Sequence, residues 1–458
     1  MQINQYKLDF AQFDNYINSI NGMHMVIDFS TVLRKSATEV LAHFKEISKS
    51  KCCFYVSKNF DKQILHLIDN SETGFCTEKF LSSMKSAWEQ YTDLSLHSID
   101  KNISSYEFFK QLSENGQVSC LLTGNETEAW RHILGRNRGN ILLVTDVCSY
   151  YFMEESFSYL SEQYGSIEAF AYKTIADDGG SGKCETVSEK DTFSFLKKRT
   201  VIQYTDIISG NGAEGIVYKT DQPEIAVKVF YNSVSKQKIK KLEYLMAFEE
   251  KKENIAWPIE FVYSYKHFYA EPIGFTMPIF SDIRPLEELQ FLDKVTNRHR
   301  WKIAVNFLTQ ILYLYIHNIQ IGDYNFNNFS ITDACEVILM DMDSYIYGIY
   351  GTEVYGRQTL PFILDYSKRS GLIQADYILL HCMIFWILSD GVWPYYYDED
   401  IGGTICRITI QEEVEFHNIL NGFPSALSNY YKLLFTKGIY KEPFELLFIL
   451  FDTEEYFL

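Results

Sequence analysis

The chain has 458 residues, 47% hydrophobic and 22% charged, with 60 Asp+Glu against 42 Lys+Arg for a formal net charge of −18. That composition excludes disordered and fibrous classes, and the length fits two or three globular domains. So acidic a chain is a poor general binder of nucleic acid or anionic membrane, because phosphate backbones are held by clustered Lys and Arg; a small anionic ligand at one local site stays open.

The first residues, MQINQYKLDF, are polar and lack the apolar run of a signal peptide. In chain order, Met23–Phe29 is a short apolar run containing Asp28, and Thr38–Ile47 follows with helical spacing. Cys52–Val56, Val118–Leu122 and Ile141–Val144 are further apolar runs, separated by helical segments such as Glu107–Leu112 and Glu126–Leu134. Strands alternating with helices predict an α/β domain with a parallel sheet over residues 1–176. Sites in open sheets gather at the carboxyl ends of strands, where Asp28, Thr123, Asn125, Thr145 and Asp146 fall. Residues 177–195, rich in Gly, Ser and charge, read as a linker.

In the second part, 196–458, Thr205–Phe230 alternates as strands with Gly-rich turns, and after about Leu286 the pattern turns helical, clearest over Trp301–His317. A β-rich portion followed by a helical one predicts two lobes, about 200–279 and 280–458. Tyr377–Leu388 is the longest apolar stretch; at about 12 residues it is short of the roughly 20 that span a bilayer and reads as a buried core helix. The nine cysteines have no CxxC spacing, so disulfide and zinc frameworks are not expected and a reducing cytoplasm fits best.

Several polar motifs follow in order. Gly210-Asn211-Gly212-Ala213-Glu214-Gly215-Ile216-Val217 lies between two strand-like runs with no helix after it, which favours a glycine loop over phosphates rather than a dinucleotide fold. Lys228 stands in the apolar run Ala226-Val227-Lys228-Val229, where an ammonium needs an anion beside it or a route to solvent. Gly322-Asp323 follows the long helix with Asn328 five residues after Asp323, and Val337–Met340 runs into Asp341-Met342-Asp343. Phosphoryl transfer requires a carboxylate to orient an attacking hydroxyl, and a carboxamide with a second carboxylate to hold Mg2+ on the nucleotide phosphates. Polar loops also collect Asp and Asn for turn reasons alone; the ordered set is much harder to produce by chance.

From Thr205 to Pro394 the chain resembles the protein kinase family. The resemblance implies that Gly210, Gly212 and Gly215 form the glycine loop, with Val217 over the adenine, and that Lys228 contacts the α and β phosphates. It further implies Glu243, or alternatively Glu249, as the helix glutamate paired with Lys228, and Asp323 as the catalytic-loop aspartate. Asn328 and Asp341 are the implied metal ligands, Met277-Pro278 lies near the hinge, and Asp376 opens the structural helix of the large lobe. ATP and Mg2+ are the implied cofactors. Three departures stand out: Ile321-Gly322 replaces the usual His-Arg, Asp343 replaces the glycine after the metal aspartate, and no Ala-Pro-Glu follows. Loop phosphorylation is therefore not expected to activate the protein. The Gly-Asp and Asp-x-Asp-Ser pattern is similar to that of bacterial stand-alone kinase-like proteins.

Val26–Leu33 with Leu121–Asn125, Thr145 and Asp146 is similar to the opening of a PIN-like nuclease and also to a von Willebrand factor A-like domain. The former implies a metal site including Asp28 and Asp146; the latter would use Asp28 and Ser30, but Val32 breaks its pattern. An interaction domain whose Asp residues cap helices is the plainer alternative. The expectation for the whole chain is an ATP- and Mg2+-dependent Ser/Thr protein kinase fused to a regulatory or effector α/β domain. The alternatives are a nucleotide-binding pseudokinase that regulates that domain or a partner protein, and a kinase-controlled nuclease. Residues 1–150 carry 15 Lys+Arg against 17 Asp+Glu, so nucleic acid is disfavoured there only by the lack of a basic patch.

Overall fold

The computed structural model describes residues 10–20, 22–69, 78–100, 103–134, 139–146, 149–152, 204–209, 214–249, 251–263, 272–291, 295–347, 369–399, 405–410, 414–437 and 443–457. The expected linker, 177–195, lies outside them.

Helix α1 (Phe10–Ser19) precedes an alternation of β1 (Met23–Ile27), α2 (Ala37–Lys51), β2 (Cys52–Ser57), α3 (Phe60–Asp69), α4 (Glu78–Thr92) and β3 (Leu96–Ile99). It continues through α5 (Ser105–Glu114), β4 (Ser119–Thr123), α6 (Glu126–Leu134), β5 (Asn140–Val144) and β6 (Ser149–Phe152). The sheet order is β3-β2-β1-β4-β5-β6, with five parallel strands and β6 antiparallel on the edge. β4 and β5 are buried at every position, as continuous apolar runs require in a sheet covered on both faces. The strand order reverses between β1 and β4, so Asp28 and Thr123 stand side by side at their carboxyl ends.

The second part begins with β7 (Tyr204–Ser209), β8 (Gly215–Thr220), β9 (Ile225–Phe230), α7 (Lys236–Ala247), β10 (Phe261–Val262) and β11 (Gly274–Pro278). These strands form an antiparallel sheet in the order β10-β11-β9-β8-β7. The remainder is mostly helical. After β12 (Ile283–Pro285) come α8 (Asn297–Ile316), β13 (Ile319–Gln320), β14 (Phe329–Thr332), β15 (Val337–Leu339), β16 (Ile346–Tyr347) and α9 (Arg369–Leu388). The hairpin β17 (Tyr395–Glu399) and β18 (Ile405–Ile410) then leads to α10 (Val414–Gly422), α11 (Ser425–Lys437), α12 (Pro443–Asp452) and α13 (Glu454–Phe457). Helix α8 starts four residues before the expected Trp301, because Thr296 caps it in a reciprocal capping box with His299.

One continuous buried cluster runs from the N-terminal sheet through α8, α9 and the C-terminal helices, while the antiparallel sheet and α7 have a smaller cluster around Ala226, Leu242, Ala256, Phe275 and Met277. Phe29, two residues after β1, packs edge-on against Phe448 of α12 at 4.9 Å, with Phe444 at 5.9 Å. Helix α6 packs on α8 and α9. Tyr377–Leu388 lies in α9, inside this core, and among the described residues no helix is long and apolar enough to cross a membrane. Cys52, Cys53, Cys120, Cys335 and Cys382 are free thiols.

Candidate functional site

Lys228 lies on the central β9, opposite Val217 of β8 and Phe275 of β11, and is only 5% exposed. Its Nζ contacts Asp341 Oδ1 and lies 2.8 Å from Asp343 Oδ1. Two carboxylates two residues apart reach one ammonium because Asp341 is left-handed (φ 56°, ψ 43°) and opens the 3-10 turn Met342–Ser344. Asp and Asn tolerate that conformation better than most residues. A second cation reaches the same place: Lys238 Nζ of α7 is 2.9 Å from Asp343 Oδ2 and 2.7 Å from Glu214 Oε2, and 4.7 Å from the Phe230 ring centroid. The result is a chain of charges, Glu214–Lys238–Asp343–Lys228–Asp341, whose three middle members are buried and whose two ends are partly exposed.

This corrects the expected helix glutamate. Glu243 and Glu249 are exposed, and the recorded carboxylate partners of Lys228 are Asp343 and Asp341. Ser235 caps α7 and sets its phase, so Lys238, Lys241, Leu242 and Leu245 form the buried stripe at helical spacing. Glu243, five residues and about 140° round from Lys238, falls on the outer face. The helix thus brings a lysine to the site, and the acid comes from the 341–344 turn. Lys238 was missed by the sequence reading; its signal is that two lysines, 238 and 241, sit on an otherwise apolar stripe. Lys241 Nζ donates to Tyr345 O at 2.9 Å, which fastens α7 to the residue after that turn.

The charges settle accordingly. Burial opposes ionisation of Lys228, but Asp343 and Asp341 outweigh it and raise its pKa. Burial likewise disfavours ionised Asp343, yet Lys228 and Lys238 hold its pKa well below the usual carboxylate range. Desolvation, then the neighbouring Asp343 charge, raises the pKa of Asp341 despite Lys228.

Asp323 follows Gly322, whose φ of 71° suits glycine. Asn328 Nδ2 donates to Asp323 O and Oδ2, both at 3.1 Å, and Asn328 O accepts the Met340 amide at 2.8 Å, one residue before Asp341. Asp323 Oδ1 is buried without a hydrogen-bond partner, and burial raises the pKa of this carboxyl. Asp376 accepts the Gly322 amide at 2.7 Å and the Ile321 amide at 3.4 Å, and Tyr315 Oη donates to it at 2.7 Å. Asn328 thus bonds Asp323 directly and is tied through the Met340 backbone to the residue before Asp341, which contacts Lys228.

Of the expected glycine loop, Gly210 and Gly212 lie outside the described residues. Gly215 opens β8 where a Cβ would run into Val229 O, so the close approach of strands itself requires glycine there. Val217 packs on the cluster containing Ala226 and Met277, together with Met340. Met277 itself pairs with Ala226 across β9 and β11.

The N-terminal acids are not brought together as the nuclease reading expects. Asp28 Oδ2 accepts from Ser30 N at 3.0 Å, Ser30 Oγ and Thr123 Oγ1 at 3.3 Å, and burial raises its pKa. Asp146 instead accepts from Lys35 N at 3.0 Å and pairs with Arg34 at 3.3 Å; burial opposes its charge, but Arg34 and its neighbours hold its pKa low. Among the described residues, no group of three or more His, Cys, Asp and Glu is placed to hold a metal ion. A cleft of about 170 Å³ lies at the ends of β1–β3, lined by Asp28, Lys58, Asp100 and Tyr106, with Glu445 and Phe448 of α12 opposite. Neither Lys228 nor Asp323 lines it.

Searches against protein-family models and curated proteins find no match to this chain.

Proposed function

We propose that residues 196–458 are a protein kinase-like phosphotransferase, dependent on ATP and Mg2+, that acts on Ser/Thr hydroxyls of a protein, with the N-terminal α/β unit as its regulatory part. The observation that carries the reading is the convergence of Lys228 on Asp341, next to an Asn328 that is itself bonded to Asp323. The donor set fits the implied cofactor. Asp341 and Asn328 are of the residue types that offer the hard oxygens Mg2+ takes, and Asp323 Oδ1 is a buried acceptor without a hydrogen-bond partner. Bound Mg2+ would offset the phosphate charge. Lys228 supplies a fixed cation for the phosphates, and Val217, Ala226 and Met277 offer an apolar wall for the base. Asp323 orients the acceptor hydroxyl and takes up its proton at Oδ1; burial raises its pKa, which makes the carboxylate a stronger base than an exposed one.

Transfer of the γ-phosphate of radiolabelled ATP to the chain itself or to a generic protein tests the proposal. Transfer by the wild type, abolished by Asp323→Ala, is the expected result. No transfer, or transfer indifferent to Asp323→Ala, removes it.

One observation favours a second reading, a nucleotide-sensing protein without turnover. Glu214, carried just before β8, closes an ion pair onto Lys238 and leaves Lys228 and Lys238 both engaged with carboxylates. A thermal shift with MgATP and no phosphate transfer distinguishes it.

A further inference from the structure

The N-terminal unit meets the helical part at the segment that leads into Asp323. Thr127, in the first turn of α6 and fully buried, donates from Oγ1 to Tyr315 O at 2.8 Å, in the last turn of α8. That carbonyl is one of those a helix leaves without an internal partner, and it also accepts the Asn318 amide at 3.1 Å. Gln320 Nε2 donates back to Thr127 Oγ1 at 3.0 Å and to Asn318 Oδ1 at 3.2 Å. One hydroxyl thus donates to one side of the 315–320 turn and accepts from the other. Arg34, after β1, adds a contact from Nη1 to His317 Nδ1 at 3.2 Å, while its Nε holds Val144 O at 3.3 Å.

The same turn is gripped from the far side by Asp376, which binds Tyr315 Oη and the amides of Ile321 and Gly322. Asp323 N then donates to Ile321 O at 2.8 Å. The gripped segment contains two left-handed residues, Asn318 (φ 57°) and Gly322 (φ 71°). Non-glycine residues hold such a conformation only when their surroundings fix it. Asn318 and Gln320 are each 1% exposed, so protein groups rather than bulk solvent supply those surroundings.

We propose that the N-terminal α/β unit sets the position of Asp323 through this hydrogen-bonded seam, with Thr127 as the positioning residue. The role assigned to Asp323 rests on the phosphotransfer reading; the seam does not. Thr127 lies four residues after Thr123, whose hydroxyl belongs to the Asp28–Ser30 network and also accepts the Asn125 amide. Asn125 Oδ1 in turn caps the Glu128 amide. Rearrangement at the strand ends therefore has a short, rigid route to the seam.

The test uses the full chain. Thr127→Val keeps the shape and removes the hydroxyl; Thr127→Ser restores it. The expected result for Thr127→Val is a roughly tenfold fall in kcat for phosphate transfer, within the scale by which misplacement of reacting groups slows catalysis, with KM for ATP and the MgATP thermal shift unchanged. Thr127→Ser should recover kcat. Deuterium uptake by the peptide spanning 315–323 should rise in nucleotide-free Thr127→Val and return in Thr127→Ser, whether or not the chain transfers phosphate. Unchanged uptake overturns the seam, and raised uptake with unchanged kcat in an active enzyme overturns the positioning role. If the wild type transfers nothing, raised uptake upholds the seam while the phosphotransfer reading falls. Gln320→Met, which removes the donor from the other side, carries the same expectations where Thr127→Val does not fold.

Discussion

Asp343 Oδ1 stands 2.8 Å from Lys228 Nζ while its other oxygen stands 2.9 Å from Lys238 Nζ, so one fully buried carboxylate ties the antiparallel sheet to its helix. Removing one member of a buried pair leaves the rest uncompensated and costs roughly 3–5 kcal/mol. Asp343→Asn should lose about that much, whereas Glu243→Gln on the exposed face should stay within about 0.5 kcal/mol. Chemical denaturation of both variants checks this, and equal losses would show that the acid has been misassigned.

Lys238 balances Glu214 and Asp343. Lys238→Met leaves two carboxylates near the place proposed for phosphates, so binding of a fluorescent ATP analogue with Mg2+ should weaken by about tenfold. Glu214→Gln in the same background should recover most of it. Failure of that recovery would mean that Lys238 acts only by packing.

His317 gives the seam a pH signature. Burial first, then the Arg34 guanidinium, push its imidazole down to about 3, although Asp146 lies 3.9 Å away. An unfolded histidine takes up its proton near pH 6.5, so this contribution to stability is complete above that pH and is lost as pH falls from about 6.5 toward 3. His317→Gln lacks the loss. The stability gap between wild type and variant should shift in favour of the variant by about 1.4 kcal/mol per pH unit below 6.5. Urea curves at about pH 7.5 and about pH 5 measure it, and an unchanged gap would contradict a neutral, buried His317.

Asp146 offers a clean choice between catalysis and structure. Its pairing with Arg34, 3% exposed at the side chain, predicts that Asp146→Asn costs roughly 3 kcal/mol. A nuclease ligand would instead show loss of metal-dependent cleavage at unchanged stability. The melting temperature and a nuclease assay on one sample decide between them.

Periodicity made most elements readable: Glu126–Leu134 is helical over the expected span, and Ile141–Val144 lies in a strand that starts one residue earlier. β3 is not legible in the sequence because its LHSI is half exposed and too short for an alternation signal. Asp323, Asn328 and Asp341 could be named because motif spacing carries chain order, which loops preserve. The Lys228 partner was misread because it depends on helical phase, set by the Ser235 cap rather than by distance from Lys228. Nor does local sequence reveal that Thr127 and Tyr315 meet, since their hydroxyl and carbonyl are unremarkable until the two parts pack.

Phe29, wedged beside Phe444 and Phe448, has a consequence for biosynthesis. Lys62 of α3 and Asp452 of α12, which form an ion pair at the same junction, are 390 residues apart in the chain. At ribosomal rates of about 5–20 residues per second, α3 waits roughly 20–80 s after its synthesis for the helix it pairs with. During that interval an aromatic ring destined for the interior lacks the helix that covers it, and the nascent chain is at its most prone to aggregate.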